Sequence, residues 1–211
     1  MASRVLVLGT HNRKKGLELA DLLRPMGIEL RTLVDYPQAI EVVENGASFA
    51  ANARKKAAEQ ARHLGTWVLG EDSGLVVDAL DGRPGIYSAR FAGPQATDEA
   101  NNRRLLDELQ GVPLERRTAH YVCHATVVDS AGVIKAEASG KCYGLIRTEP
   151  AGTGGFGYDP LFEVVEYHRT FGELGPAVKA ALSHRARAIA LLVEPLRRLI
   201  ASGAWDPTPP R

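Results

Sequence analysis

The sequence predicts an α/β protein built on a mixed sheet, and three observations carry that reading. The chain opens on a short apolar strand, RVLVL at Arg4 to Leu8, which passes through Gly9-Thr10 directly into a helical pattern. A strand, a tight turn and a helix in that succession belong to α/β domains. Two β-rich segments, Arg117 to Asp129 and Val133 to Ile146, meet at Ser130-Ala131-Gly132 and read as a hairpin. Strands and helices alternate unevenly between these regions, which favours a mixed sheet over a regular parallel one.

The elements follow in order. Asn12 is a good N-cap for the first helix, and Leu17, Ala20, Leu22 and Leu23 supply its apolar stripe. Met26-Gly27 closes it, and Ile28 to Leu33 reads as a second strand. A helix begins at or just before Ser48 and runs through Phe49, Ala53, Ala57 and Leu64. Trp67 to Gly70 and Gly74 to Val77 read as two short strands on either side of Glu71-Asp72-Ser73. The Gly- and Pro-rich segment 81–93 reads as a loop, and Thr97 caps a helix to about Leu109. A glycine-dense turn lies at 152–157. The last helix spans 183–201, with Pro195 expected to kink or interrupt it. One domain is expected over 1–203, and a disordered tail over 204–211, ending in DPTPPR. There is no internal repeat and no long linker.

Composition narrows the function. Among 211 residues, 26 Lys and Arg balance 25 Asp and Glu, for a net charge of +1. That argues against a bulk nucleic-acid binder, which carries a cationic excess, but leaves room for a local basic pocket. Cys123 and Cys142 lack the spacing and partners for a disulfide framework or a zinc site and read as inert thiols. No apolar run is long enough to span a membrane, and the N-terminus has no apolar signal region. A cytoplasmic protein with no membrane partner is expected.

Four segments can carry chemistry. THNRKK, Thr10 to Lys15, joins a strand to a helix. Unpaired N–H groups at a helix start suit a phosphate, with Lys14 or Lys15 adding charge; an ordinary capped turn fits the same residues. It is not a Walker A loop, because GxxxxGK[ST] is absent. GEDSG, 70–74, sets two carboxylates beside apolar strands. Burying them needs a compensating cation, and hard oxygens suit Mg²⁺; an acidic β-turn is the alternative. Glu44, in VVENG, is a further acid after apolar residues, or a solvated loop residue. GTGGFGYDP, 152–160, offers close backbone approach and the aromatic faces of Phe156 and Tyr158 for stacking a base; a turn with its aromatics tucked into the core reads equally well. In KAALSHR, Lys179 to Arg185, Ser183 can cap the last helix. His184 and Arg185 then stand in a first turn, where cations are disfavoured unless they hold a partner. His120 and His124 read as plain strand residues. No GxSxG elbow exists, and Cys123 between Val122 and His124 is no convincing nucleophile. A metal-activated water is the more economical chemistry.

Together these segments resemble the inosine triphosphate pyrophosphatase family, also called the Ham1 or dITP/XTP pyrophosphatase family. The matching pieces are THNRKK, SFAANARKKA at 48–57, EDSGLVVDALDGRPGIYSARFAG at 71–93, EPAGTGGFGYDPLF at 149–162 and LSHR at 182–185, in the family's order. The resemblance implies an ITPase/Maf-like fold, with an elongated mixed β-sheet flanked by helices and two lobes with a central cleft. It implies a homodimer, dependence on Mg²⁺, and hydrolysis of ITP, dITP, XTP and dXTP to monophosphate and pyrophosphate. Carried onto this chain, it implies that Thr10, His11, Asn12, Arg13, Lys14 and Lys15 hold the phosphates, with Lys56 as a further contact. Asp72 would accept a proton and bind Mg²⁺ with Glu44, and Ser73 would touch the substrate. Phe156, Gly157, Tyr158 and Asp159 would surround base and sugar, and Lys179, His184 and Arg185 would close on the base. The chain departs from the family pattern in four places: His11 replaces a glycine, Glu71 stands for the first Asp of DDSG, Ala51 replaces a frequent Glu, and Gly175-Pro176 precede Lys179. A phosphotransferase and a non-catalytic nucleotide- or RNA-binding module are the competing functions.

Overall fold

A computed structural model of the protein describes residues 4–205. The strands are β1 (Val5–Leu8), β2 (Glu29–Thr32), β3 (Val68–Val77), β4 (Thr118–Val128), β5 (Ile134–Ile146), β6 (Phe162–Val164) and β7 (Arg169–Thr170). The helices are α1 (Arg13–Leu23), α2 (Phe49–Leu64), α3 (Asp98–Glu108), α4 (Pro176–Leu182) and α5 (His184–Ala201). One seven-stranded sheet has the order β2-β1-β3-β4-β5-β6-β7. It is mixed: β1 runs parallel to β2 and β3, while β5–β6 and β6–β7 are antiparallel. The chain divides into two compact units, the first made of residues up to Asp72, Cys123–Gly140 and Arg185 onward, the second of Ser73–Val122 and Lys141–His184.

The first unit grows from β1, whose four residues are all buried. Leu6 and Leu8 pack with Leu19 and Leu23 of α1, Ala125 and Val127 of β4, and Ile189 and Leu192 of α5. The three long helices before α5 start as expected: the side chains of Asn12, Ser48 and Thr97 accept from the backbone N–H of Lys15, Ala51 and Ala100, each satisfying a donor with no partner inside its helix. The expected disorder at 204–211 does not reach Trp205. This residue is fully buried, stacks on Trp67 with ring centroids 4.5 Å apart, and accepts from Arg4 Nε through its carbonyl at 2.8 Å. The remainder of that segment, 206–211, lies outside the described residues.

Two further expectations are corrected. The acidic triplet does not separate two strands: β3 runs unbroken through Glu71, Asp72 and Ser73, because each carboxylate finds cations supplied from distant segments. Pro195 does not interrupt α5. The hydrogen bond it forfeits would end on the carbonyl of Leu191, an exposed residue, where water can replace it, while buried Leu192 and Leu196 hold the helix down.

The second unit has its own core, in which Leu75 and Val77 of β3, Leu105 and Leu109 of α3 and Tyr121 of β4 meet Phe162 and Phe171. The last two rings stack at 5.6 Å. The segment 81–93, expected as a loop, winds into a 3₁₀ turn over Gly85–Arg90. Its Ser88 hydroxyl donates to Gly85 O at 2.6 Å and accepts from Leu75 N at 2.8 Å.

Candidate active site

The first unit gathers the acidic and basic candidates around β3. Gly70 makes this possible. A Cβ there would lie 2.6 Å from Ala53 O and 2.7 Å from Ala57 N, so only glycine lets α2 approach the strand so closely. Asn52 and Lys56, four residues apart on one face of α2, thereby reach Asp72. Asn52 Nδ2 donates to Asp72 Oδ2 at 3.0 Å, and Lys56 Nζ stands 3.4 Å from Oδ1. Asn52 also accepts from Gly46 N at 2.7 Å. That bond ties down the preceding loop, and Glu44 pairs with Lys56 Nζ at 3.0 Å. Glu44 and Asp72 therefore face one cation, and they are the carboxylates able to hold a divalent ion. Among the described residues no group of three His, Cys, Asp or Glu side chains has a metal-binding arrangement.

Successive side chains of a strand point to opposite faces, and Glu71 has a different set of partners. Its carboxylate meets Lys15 Nζ at 2.8 Å and Arg185 Nε at 3.7 Å, and Cys123 Sγ lies 3.6 Å away. Arg185 also donates to Glu18 at 2.8 Å. Burial opposes the charge on Glu71, yet Lys15, Arg185 and Lys56 hold its carboxyl well below the usual range. Asp72 behaves oppositely: burial, aided by the Glu44 charge, raises it above an ordinary aspartate despite Lys56 and Asn52. Burial raises the Cys123 thiol well above its ordinary value, with Glu71 adding to the effect, so it is inert, as its sequence context suggests. Two adjacent acids thus differ: the neighbouring cations hold Glu71 below the usual carboxylate range, and burial raises Asp72 above it.

In the turn before α1, Asn12 N donates to Thr10 Oγ1 at 3.1 Å. Thr10, His11, Asn12 and Arg13 line a pocket of about 510 Å³ with Thr32 and Asp35. Lys14 is exposed, and Lys15 is turned to Glu71.

The second unit holds the aromatic loop. Gly155 has φ 74°, and a Cβ there would strike Asp159 Oδ2 at 2.0 Å. The buried Asp159 carboxylate accepts from Phe156 N at 2.8 Å and from Lys179 Nζ at 2.6 Å. The same ammonium lies 4.2 Å from the centre of the Phe156 ring. Tyr158 OH donates to Ser88 O at 2.8 Å, and burial pushes its phenol far above the ordinary value, with Asp98 contributing. Gly157 is held from α3 by Asp98 and Asn102. His184 stacks on Tyr121 at 4.7 Å. Ser183, expected to cap the last helix, is buried and extended between α4 and α5. Ser73, the residue after Asp72 in β3, is half-buried.

The predicted residues therefore fall into two groups. Thr10 to Lys15, Glu44, Lys56, Asp72 and Arg185 belong to the first unit, and Ser73, Phe156 to Asp159, Lys179 and His184 to the second. Sequence reading passed over Glu71 as a site residue, and missed Asn52, Ser88, Asp98, Asn102 and Tyr121. Asn52 carried a signal in its spacing of four from Lys56; the others are defined by partners far along the chain.

A relative from Rhodopirellula baltica, named dITP/XTP pyrophosphatase, is 55% identical, the match covering 94% of this chain and 96% of the relative. One of the same name from Desulforamulus reducens is 48% identical over 92% and 96%. The solved structure of a HAM1 protein from Coxiella burnetii superposes with a TM-score of 0.84 at 34% identity, covering 92% of this chain and 99% of that one. The Ham1 family model matches residues 6–195, and the chain belongs to that family.

Proposed function

We propose that this chain is a Mg²⁺-dependent nucleoside-triphosphate pyrophosphatase, hydrolysing ITP, dITP, XTP and dXTP to monophosphate and pyrophosphate, and acting in the cytoplasm as a homodimer. The observation that carries the reaction is Asp72, a buried carboxylate of raised basicity held between the Asn52 amide and the Lys56 ammonium. The names of the relatives support the reaction and the substrate class.

The chemistry follows from these residues. The N–H groups at the start of α1, with Lys14, Lys15 and Lys56, receive the polyphosphate charge. Glu44 and Asp72 already face one positive charge, the Lys56 ammonium, so their oxygens suit Mg²⁺, which commonly takes one or two carboxylates and completes its shell with water and substrate phosphate. When bound there it supplies neutralisation of the triphosphate and of the leaving pyrophosphate. Asp72 takes the proton of a water whose oxygen forms the new P–O bond as the bond to pyrophosphate breaks. Such base assistance is worth about 10²–10⁴-fold. Ser73 touches the substrate beside it.

Base choice belongs to the second unit. Phe156 offers a stacking face, and Lys179 and His184 offer donors. Hypoxanthine and xanthine carry a 6-oxo acceptor where adenine carries a donor, so adenine leaves buried donors unpaired. Mismatches of that kind reject an analogue by as much as about 10⁴–10⁵.

Ion-exchange separation of the products from ITP, XTP, dITP, ATP and GTP, with and without Mg²⁺, tests the proposal. Monophosphate and pyrophosphate, formed from the deaminated purines and only with Mg²⁺, are expected. Orthophosphate with a diphosphate would identify a different phosphoryl-transfer enzyme, and equal kcat/KM for ATP and ITP would remove the specificity.

A further inference from the structure

We propose that Asp98 and Asn102 of α3 are positioning residues that set purine discrimination by clamping the Gly157 peptides, a role that rests on the purine reading of the loop at 156–159. The two side chains are one helical turn apart and share a face of α3. Asp98 Oδ2 accepts from Gly157 N at 2.7 Å, and Asn102 Nδ2 donates to Gly157 O at 3.0 Å. That N–H and C=O belong to the two peptide planes flanking Gly157, so the pair immobilises both.

Gly157 is where such a clamp is needed. It lies between Phe156 and Tyr158, and its φ of 63° places it in a region from which a glycine moves freely. Its neighbours are fixed by other means: Phe156 N on Asp159, and Tyr158 OH on Ser88 O. Without the clamp, the joint between these anchors is loose, and the Phe156 ring and the loop's backbone groups lose their fixed relation. Discrimination by hydrogen bonds needs the donors held where the correct base will meet them.

Asn102 Oδ1 has no hydrogen-bond partner among the described residues, so the contact this amide makes with the loop is the one from Nδ2 to Gly157 O.

The test measures kcat and KM for ITP and ATP, and the melting temperature, in wild type, Asp98→Ala, Asn102→Leu and Asp98→Asn. Asp98→Ala and Asn102→Leu are each expected to lower the ITP-to-ATP ratio of kcat/KM about tenfold, the effect of roughly one hydrogen bond. The loss should fall on KM for ITP, with kcat within about twofold and little change in melting temperature. Asp98→Asn, whose amide oxygen still accepts from Gly157 N, should restore most of the ratio even if the alanine variant folds poorly. A ratio unchanged in both Asp98→Ala and Asn102→Leu would overturn the clamp, as would an equal loss on ITP and ATP, or a ratio lost in Asp98→Asn as fully as in Asp98→Ala. A wild-type enzyme with no preference for ITP would also overturn it, but through the wild-type arm alone, which separates failure of the purine reading from failure of the clamp.

Discussion

In the first unit, Glu44, Glu71 and Asp72 face Lys15, Lys56 and Arg185, whose cations are carried by α1, α2 and α5. In the second unit, Asp159 of the loop at 156–159 pairs with Lys179, and hydrogen bonds to Ser88 O, Asp98 and Asn102 hold Tyr158 and Gly157. The first arrangement places full charges on rigid elements, where removing one member strands its buried partners. The second fixes a loop by hydrogen bonds that can be lost singly. Truncating a charged side chain in the first should therefore damage folding and turnover together, and substitutions in the second should shift substrate preference.

Glu71→Ala gives the largest expected effect on stability. Its carboxylate is fully buried against Lys15 and Arg185, and removing one partner of a buried pair costs about 3–5 kcal/mol. Chemical denaturation measures it, and a loss below about 1 kcal/mol would break the contrast. Gly70→Ala comes next, at roughly 1–3 kcal/mol from the forced approach to Ala53 and Ala57. Pushing α2 off β3 should also separate Asn52 and Lys56 from Asp72, so turnover should fall along with stability; a folded variant with full turnover would show that the close contact does not build the site. In the second unit, Phe156→Ala should weaken ITP binding by about 1–3 kcal/mol, the worth of one stacked base, with kcat little changed. Calorimetric titration with ITP and steady-state kinetics separate the two quantities.

The smallest effect is on the pH dependence of stability. Glu71 is held as an ion below its unfolded value, so its stabilisation is present above the ordinary glutamate range and is lost as pH falls through and below it. Wild type should lose stability more steeply than Glu71→Gln between roughly pH 5 and pH 3. Parallel pH profiles would mean that Glu71 is not held as the ion its partners require.

Much of the fold is legible because its signals are local. Asn12, Ser48 and Thr97 cap helices within three residues of themselves, and the hairpin turn closes on Asp129, which bonds Gly132 and Val133 through its backbone. The continuity of β3 was not legible, because Glu71-Asp72 looks like a turn until Lys15, Lys56 and Arg185 are brought to it. Trp205 was read as part of a tail, since its partner Trp67 lies far back in the chain. The candidate site divides the same way. Asp72, Glu44 and Lys56 stand in recognisable motifs and come together. Asp98 and Asn102 read as the ordinary first turns of a capped helix, because their partner Gly157 lies more than fifty residues on.

The central claim is that Asp72 takes the proton of the attacking water, and single-turnover hydrolysis of ITP by Asp72→Asn with Mg²⁺ tests it most directly. The amide keeps the shape of the side chain and removes its basicity. The account predicts a fall in rate of at least about 100-fold in a protein that still folds; a rate within about threefold of wild type, less than a single positioned base contributes, would contradict it.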